Sequence, residues 1–140
     1  MGPVVTVVIA LGSNLGNRDA HLTQAVQALR DVLSDVRVSS FINTAPVGVP
    51  EPQPDYLNGV VVGTTTLGAR DLLNTLLEIE RRHGRERLSV NAARTLDLDL
   101  ILYGTATISE PGLEVPHPRF RERPFVVGPL REIAPELLTP

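Results

Sequence analysis

Apolar residues recur along this chain with two periods, and the alternation between them predicts a succession of strands and helices. Residues 4–11 are a short β-branched run closed by Gly12-Ser13-Asn14, the pattern of a buried strand. Asn17 is placed to cap a helix whose apolar face is Leu22, Ala25, Val26, Leu29, Val32 and Leu33. Residues 36–42 alternate as a second strand. Five residues of 44–55 are Pro46, Gly48, Pro50, Pro52 and Pro54, which exclude regular structure and predict a stiff surface loop. Residues 57–66 form a third strand, with Gly59 and Gly63 as bulge or close-approach points. A second helix then carries Leu72, Leu73, Leu76, Ile79 and Glu80 and stops at Gly84. Residues 85–94 are polar and irregular.

Strict alternation returns over residues 96–103, and Gly104 turns the chain into a short strand at 105–109. Residues 111–118 read as loop. Residues 125–133 read as a final helix with a Gly-Pro irregularity. The order is β-α-β-β-α-β with a further strand. It predicts an α+β, ferredoxin-like antiparallel sheet with helices packed on one face. Residues 1–140 are of a length for one domain.

Composition narrows the chemistry. Without cysteine, disulfides, thiolate metal sites and a thiol nucleophile are excluded. Without lysine, Schiff-base chemistry and a Walker-type phosphate loop are excluded too. The net charge of −3 argues against a nucleic-acid partner, and no apolar run reaches a membrane-spanning length, so the expectation is a cytoplasmic protein. A monomer is expected, although neither charge nor hydropathy fixes the oligomeric state. The charge is unevenly spread. Residues 81–131 hold nine arginines against six acids, a local +3, whereas the remainder is −6. A basic segment on an acidic protein suits a small polyanion.

In Leu96-Asp97-Leu98-Asp99-Leu100-Ile101-Leu102, alternation puts the leucines on the core face and both aspartates on the other. Their Cα atoms are then roughly 6.5–7 Å apart, a spacing at which two carboxylates converge on a hard cation or bracket a pair. A solvated strand face gives the same alternation. Arg85, Arg87 and Arg94 precede this strand, and guanidinium forks bind phosphate oxygens in pairs. Solvated loop charge is the alternative for each. His117, between two prolines, is open to three readings: metal ligand, phosphate donor or surface residue. His21 and His83 fall in helices with no role assigned. Gly12-Ser13-Asn14-Leu15-Gly16 joins a strand to a helix, a place that suits anions, but it matches no phosphate-loop spacing. Among five aromatics, Tyr56 ends the proline-rich loop and Phe125 follows an arginine-rich one. Core packing and stacking on a flat ligand are both open for them.

Four blocks together resemble the 6-hydroxymethyl-7,8-dihydropterin pyrophosphokinase family. They are Ala10-Leu11-Gly12-Ser13-Asn14-Leu15-Gly16-Asn17, Pro54-Asp55-Tyr56-Leu57-Asn58, Arg94-Thr95-Leu96-Asp97-Leu98-Asp99-Leu100 and Val115-Pro116-His117-Pro118-Arg119. The resemblance implies transfer of the β,γ-pyrophosphate of ATP to the pterin hydroxymethyl group, releasing AMP, in folate biosynthesis. It further implies that Asp97 and Asp99 hold two Mg²⁺ ions, and that Arg85 and Arg94 serve catalysis. Glu80, Arg85, Arg87, Arg94, Leu100 and His117 would meet ATP. Thr44, Val47, Tyr56, Asn58, Arg123 and Phe125 would surround the pterin. The chain departs from some members in carrying Asn91-Ala92-Ala93, without tryptophan, before the arginine-threonine pair. Two rival expectations stand beside this one: a non-catalytic ligand-binding module, and another metal-dependent phosphotransferase on the same fold.

Overall fold

The computed structural model describes residues 3–45, 54–83 and 96–138. Four long strands form the sheet: β1 (Val5–Ser13), β2 (Ser34–Val38), β4 (Tyr56–Thr65) and β5 (Asp97–Tyr103), in the order β2-β4-β1-β5. The short β3 (Ile42–Thr44) also pairs with β4, and every pairing is antiparallel. Helix α1 (Arg18–Arg30) links β1 to β2, and α2 (Ala69–Arg82) links β4 to β5. Each crossover therefore skips one strand, which is the split βαβ arrangement of the ferredoxin-like fold. The Asn17 side chain accepts the Ala20 N–H at 3.1 Å, so the expected cap starts α1.

The helices do not all share one face. Val7, Ile9, Leu11, Leu57 and Val61 point to the core under α1 and α2, with Leu22, Leu29, Leu72 and Leu76. Val8, Val60 and Val62 point the other way, to a second core with Phe120, Val126 and Leu130 of the C-terminal segment. That segment forms α3 (Pro124–Ile133) on the opposite face. The central strands are apolar on both sides and need cover on both. The leucine alternation in β5 is likewise broken. Leu98 and Leu100 face α1 and α2, but pairing with β1 slips between Val8 and Ile9, leaving Ile101 as an extra residue. Ile101 and Leu102 therefore both pack toward the α3 side, and Leu102 leaves the face expected for it.

The predicted strand over 36–42 is interrupted for a local reason. The Ser39 hydroxyl accepts the Val60 N–H at 2.8 Å, and the Glu132 carboxylate of α3 accepts both the Ser40 N–H and its hydroxyl at 2.6 Å. Ser39 keeps one backbone bond, its N–H donating to the Val60 carbonyl at 3.0 Å, and side chains take over from the ladder between it and β3. Gly59 lies beneath Phe41 here, where a Cβ would approach its ring to 2.7 Å. The predicted loop at 111–118 is in part a strand. β6 (Ile108–Glu110) pairs with β7 (Leu113–Val115) around Pro111-Gly112, and Gly112 has φ +75°. The Val115–Pro116 peptide after it is cis.

Candidate active site

The register of the sheet collects the site residues from four strands. Gly12 pairs with Asn58 of β4 on one side and with Asp97 of β5 on the other, while Asn58 also faces Ile42 of β3. Residues paired across a ladder share a face. Asn58, Gly12 and Asp97 therefore form one row on the α3 side of the sheet. Adjacent strands lie about 4.8 Å apart, so Asn58 and Asp97 are separated by about 10 Å across the row. The next row holds Ala10 and Asp99. Small residues at 10 and 12 leave a floor between the polar positions.

One end of the row is built to present an amide. Asn58 is buried, and its Nδ2 donates to the Thr44 hydroxyl at 2.6 Å. Tyr56, two residues back, stands on the same face and is half-buried. A Cβ on Gly12 would approach the Asn58 Oδ1 to 3.1 Å and the Tyr56 ring to 3.5 Å, so both side chains lean over the glycine. Phe125 begins α3 on this side and is half-buried, with the Arg123 guanidinium 5.9 Å from its ring centroid. The structure places Thr44, Tyr56 and Asn58 side by side.

At the other end, Asp97 and Asp99 are half-buried on edge strand β5. Asp99 lines a cleft of about 310 Å³ together with Leu98, Leu100, Glu110, Glu114 and His117. His117 is anchored here because its N–H donates to the Ile101 carbonyl at 2.9 Å. Its Nδ1 receives a long contact, 3.4 Å, from the Arg119 N–H, which leaves Nε2 as the protonated nitrogen of a neutral ring. Burial first, then the Arg123 charge, push the His117 pKa below its usual value, against a weaker upward pull from Glu114. The imidazole is thus neutral at physiological pH and offers one N–H.

Glu80 sits behind this strand rather than in the cleft. It is 2% exposed, and its Oε2 accepts the Leu98 N–H at 2.7 Å. A buried carboxylate from the last turn of α2 thereby holds the backbone between the two aspartates. The Leu100 side chain is buried in the core under α1 and α2 and reaches the cleft only as part of its wall. The family resemblance counts Glu80 among the residues that would meet ATP and says nothing of its bond to Leu98. The signal was an acidic residue on the apolar face of α2. The cleft carboxylates Glu110 and Glu114 have no role in the sequence reading, which has a strand at 105–109 but a loop over 111–118, where β7 returns. Val47, Arg85, Arg87 and Arg94 lie outside the described residues.

Chemically, Asp97 and Asp99 supply hard oxygen donors on one face, a donor set that fits Mg²⁺. Asp99, with Glu110 and Glu114, makes the cleft acidic. A bare polyphosphate would be repelled there, so phosphate binding at this edge calls for a divalent cation and arginines.

An α+β sheet with paired aspartates at its edge and an acidic cleft beside them has the oxygen donors to hold a hard cation. The chain is a member of the 7,8-dihydro-6-hydroxymethylpterin-pyrophosphokinase family, whose profile matches residues 8–135. It is 42% identical to a 2-amino-4-hydroxy-6-hydroxymethyldihydropteridine pyrophosphokinase of Haemophilus influenzae, over 98% of this chain and 86% of the relative. It is 43% identical to the protein of that name from Synechocystis, over 95% of this chain and 68% of the relative. A folate synthesis bifunctional protein of Arabidopsis thaliana is 43% identical over 91% of this chain, a match to 26% of the larger protein.

Proposed function

We propose that this chain transfers the β,γ-pyrophosphate of ATP to the hydroxymethyl oxygen of 6-hydroxymethyl-7,8-dihydropterin, with the row Asn58–Gly12–Asp97 as the floor of the reaction site. The family membership makes it a pyrophosphokinase of folate synthesis with ATP as cosubstrate. The observation that carries the residue assignment is the row itself. It sets an amide held for a flat heterocycle about 10 Å from carboxylates suited to cations.

Asn58 hydrogen-bonds the pterin edge, in an orientation fixed by Thr44. Tyr56 and Phe125 cover the two faces of the ring, and Arg123 stands beside it. Asp97 and Asp99 would hold Mg²⁺. When bound, the ion neutralises charge on the phosphate oxygens and lowers the barrier to attack at phosphorus. The neutral His117 donates its Nε2–H to the nucleotide. Arg85, Arg87 and Arg94, from the segment between α2 and β5, complete the phosphate contacts. Glu80 keeps the aspartate strand in place from behind.

In the reaction the pterin hydroxyl oxygen bonds to the β-phosphorus. The bond from that phosphorus to the α,β-bridging oxygen breaks, and AMP departs. The hydroxyl proton is lost to solvent or to a group at the cleft. The protein's share is in-line placement and charge stabilisation rather than covalent chemistry.

We assign these roles to a single domain acting as a cytoplasmic monomer. No helix among the described residues is long and apolar enough to cross a membrane. The test is to supply ATP, Mg²⁺ and 6-hydroxymethyl-7,8-dihydropterin and identify the nucleotide product. AMP that forms only with the pterin supports the reading. ADP, or turnover indifferent to the pterin, contradicts it.

A further inference from the structure

Two histidines that the pyrophosphate transfer does not use meet between the first two helices. His21 lies near the start of α1, and His83 closes α2. Their Nδ1 atoms are 3.4 Å apart, their ring centroids 5.6 Å apart, and their planes inclined at 75°. Both side chains are partly exposed. The helices that carry them cover the face of the sheet opposite the Asn58–Gly12–Asp97 row.

We propose that His21 and His83 form a binding site for a divalent transition-metal ion of the Zn²⁺, Ni²⁺ or Cu²⁺ type, tying the start of α1 to the end of α2. Two imidazole nitrogens each about 2.0–2.1 Å from a tetrahedral ion are about 3.3–3.4 Å apart. The observed Nδ1 separation matches that bite. Lone pairs converging on one ion would bring the ring centroids to about 5.2 Å, so the rings tilt inward by a few tenths of an ångström on binding. Without metal, one Nδ1–H donates to the lone pair of the other ring. Metal binding moves that proton to Nε2 of its own ring, so both rings stay neutral and both present Nδ1.

Three further features favour a soft-to-borderline cation here. The ligands are both imidazole, which selects copper, nickel and zinc, whereas Mg²⁺ takes oxygen. The carbonyl end of α2 places partial negative charge beside His83. The neighbouring Arg81 and Arg82 both turn to Glu78, which draws their charge away from the pair. Solvent access lets water fill the remaining coordination positions.

The test is a Zn²⁺ titration of the chelator-treated full chain in saturating Mg²⁺, followed by imidazole nitrogen NMR and by thermal melting. The expected result is that one equivalent of Zn²⁺ shifts the His21 and His83 resonances, leaves His117 in place, and raises the melting temperature. His21→Ala and His83→Ala should each weaken Zn²⁺ binding at least tenfold, and His21→Ala should keep the wild-type Mg²⁺-dependent turnover. Zn²⁺ that shifts only His117, or leaves all three unchanged, would overturn the proposal and leave a hydrogen-bonded pair. Unaltered affinity in both variants would overturn it as well. The wild-type resonances decide the matter even if a variant fails to fold.

Discussion

Replacing Gly12 with alanine isolates the floor of the pterin end from the rest of the molecule. Gly12 does not occupy the left-handed region, so a methyl group there introduces no backbone strain. What it meets is the Asn58 Oδ1 at 3.1 Å and the Tyr56 ring at 3.5 Å. Asn58 cannot retreat freely, because its Nδ2 is bonded to Thr44 at 2.6 Å. Either that bond lengthens or the amide turns, and a hydrogen bond of this kind is worth about 0.5–1.5 kcal/mol. Alanine also restricts the unfolded chain, a gain of about 0.4–1 kcal/mol that offsets the cost in stability. The melting temperature should therefore move by only about 2–3 °C. The pterin KM has no such offset. It should rise about threefold to tenfold, the kinetic equivalent of one misplaced hydrogen bond. Steady-state kinetics with each substrate varied in turn, beside a melting curve, make the measurement. An unchanged pterin KM, or an equal rise in the KM for ATP, would refute the reasoning.

Other substitutions test the remaining parts of the account. Thr44→Val keeps the shape of residue 44 but removes the acceptor for Asn58; pterin KM should rise by a factor of about 2–10 with kcat little changed, measured by the same kinetics. Asp97→Asn and Asp99→Asn should each lower kcat by about 100-fold or more while the melting temperature holds, since both side chains are half-buried on an edge strand. A collapse of stability with activity retained would assign them to the fold instead. Glu80→Ala removes a charged acceptor from a buried N–H and should cost about 1.5–3 kcal/mol in urea unfolding, with Glu80→Gln, which keeps an acceptor, costing less. His83 gives a pH dependence. Burial, then the His21 ring, hold its folded pKa below the usual 6.5, so on acidification the unfolded chain takes up the proton first. Stability should be independent of this group above that pH and fall as the pH drops from 6.5 through the lower folded value. Urea unfolding at a series of pH values should show that slope, and His83→Gln should flatten it.

The periodicity of the chain was enough to place the strands and helices of the split βαβ core, because the helices bury one apolar stripe each and the central strands are nearly continuous apolar runs. It was not enough where side chains replace the ladder. Nothing in residues 36–42 announces that Ser39 and Glu132 end the pairing there, since Glu132 is 92 residues beyond Ser40. Alternation in 96–102 carried the same limit. A bulge at Ile101 reverses the face of Leu102 without leaving a mark in the pattern. Pro111-Gly112 was a legible turn signal, and reading it would have found the hairpin that brings Glu110 and Glu114 to the cleft. The carboxylate pair was visible because two aspartates on one face of a strand are unfavourable without a compensating charge. Its relation to Asn58 was not visible, because it depends on the register of two different strands against Gly12. The meeting of His21 with His83 was hidden for a similar reason, each histidine lying in a different helix.

The central claim is that two phosphoryl groups move together from ATP to the pterin, across a floor made by Asn58, Gly12 and Asp97. ATP labelled at the β-phosphorus tests it most directly. With Mg²⁺ and 6-hydroxymethyl-7,8-dihydropterin, the label should appear in the pterin product and leave AMP unlabelled, and Asp97→Asn should suppress that transfer. Label retained in a nucleoside diphosphate would mean that only the terminal phosphoryl group moves, and the account would be wrong.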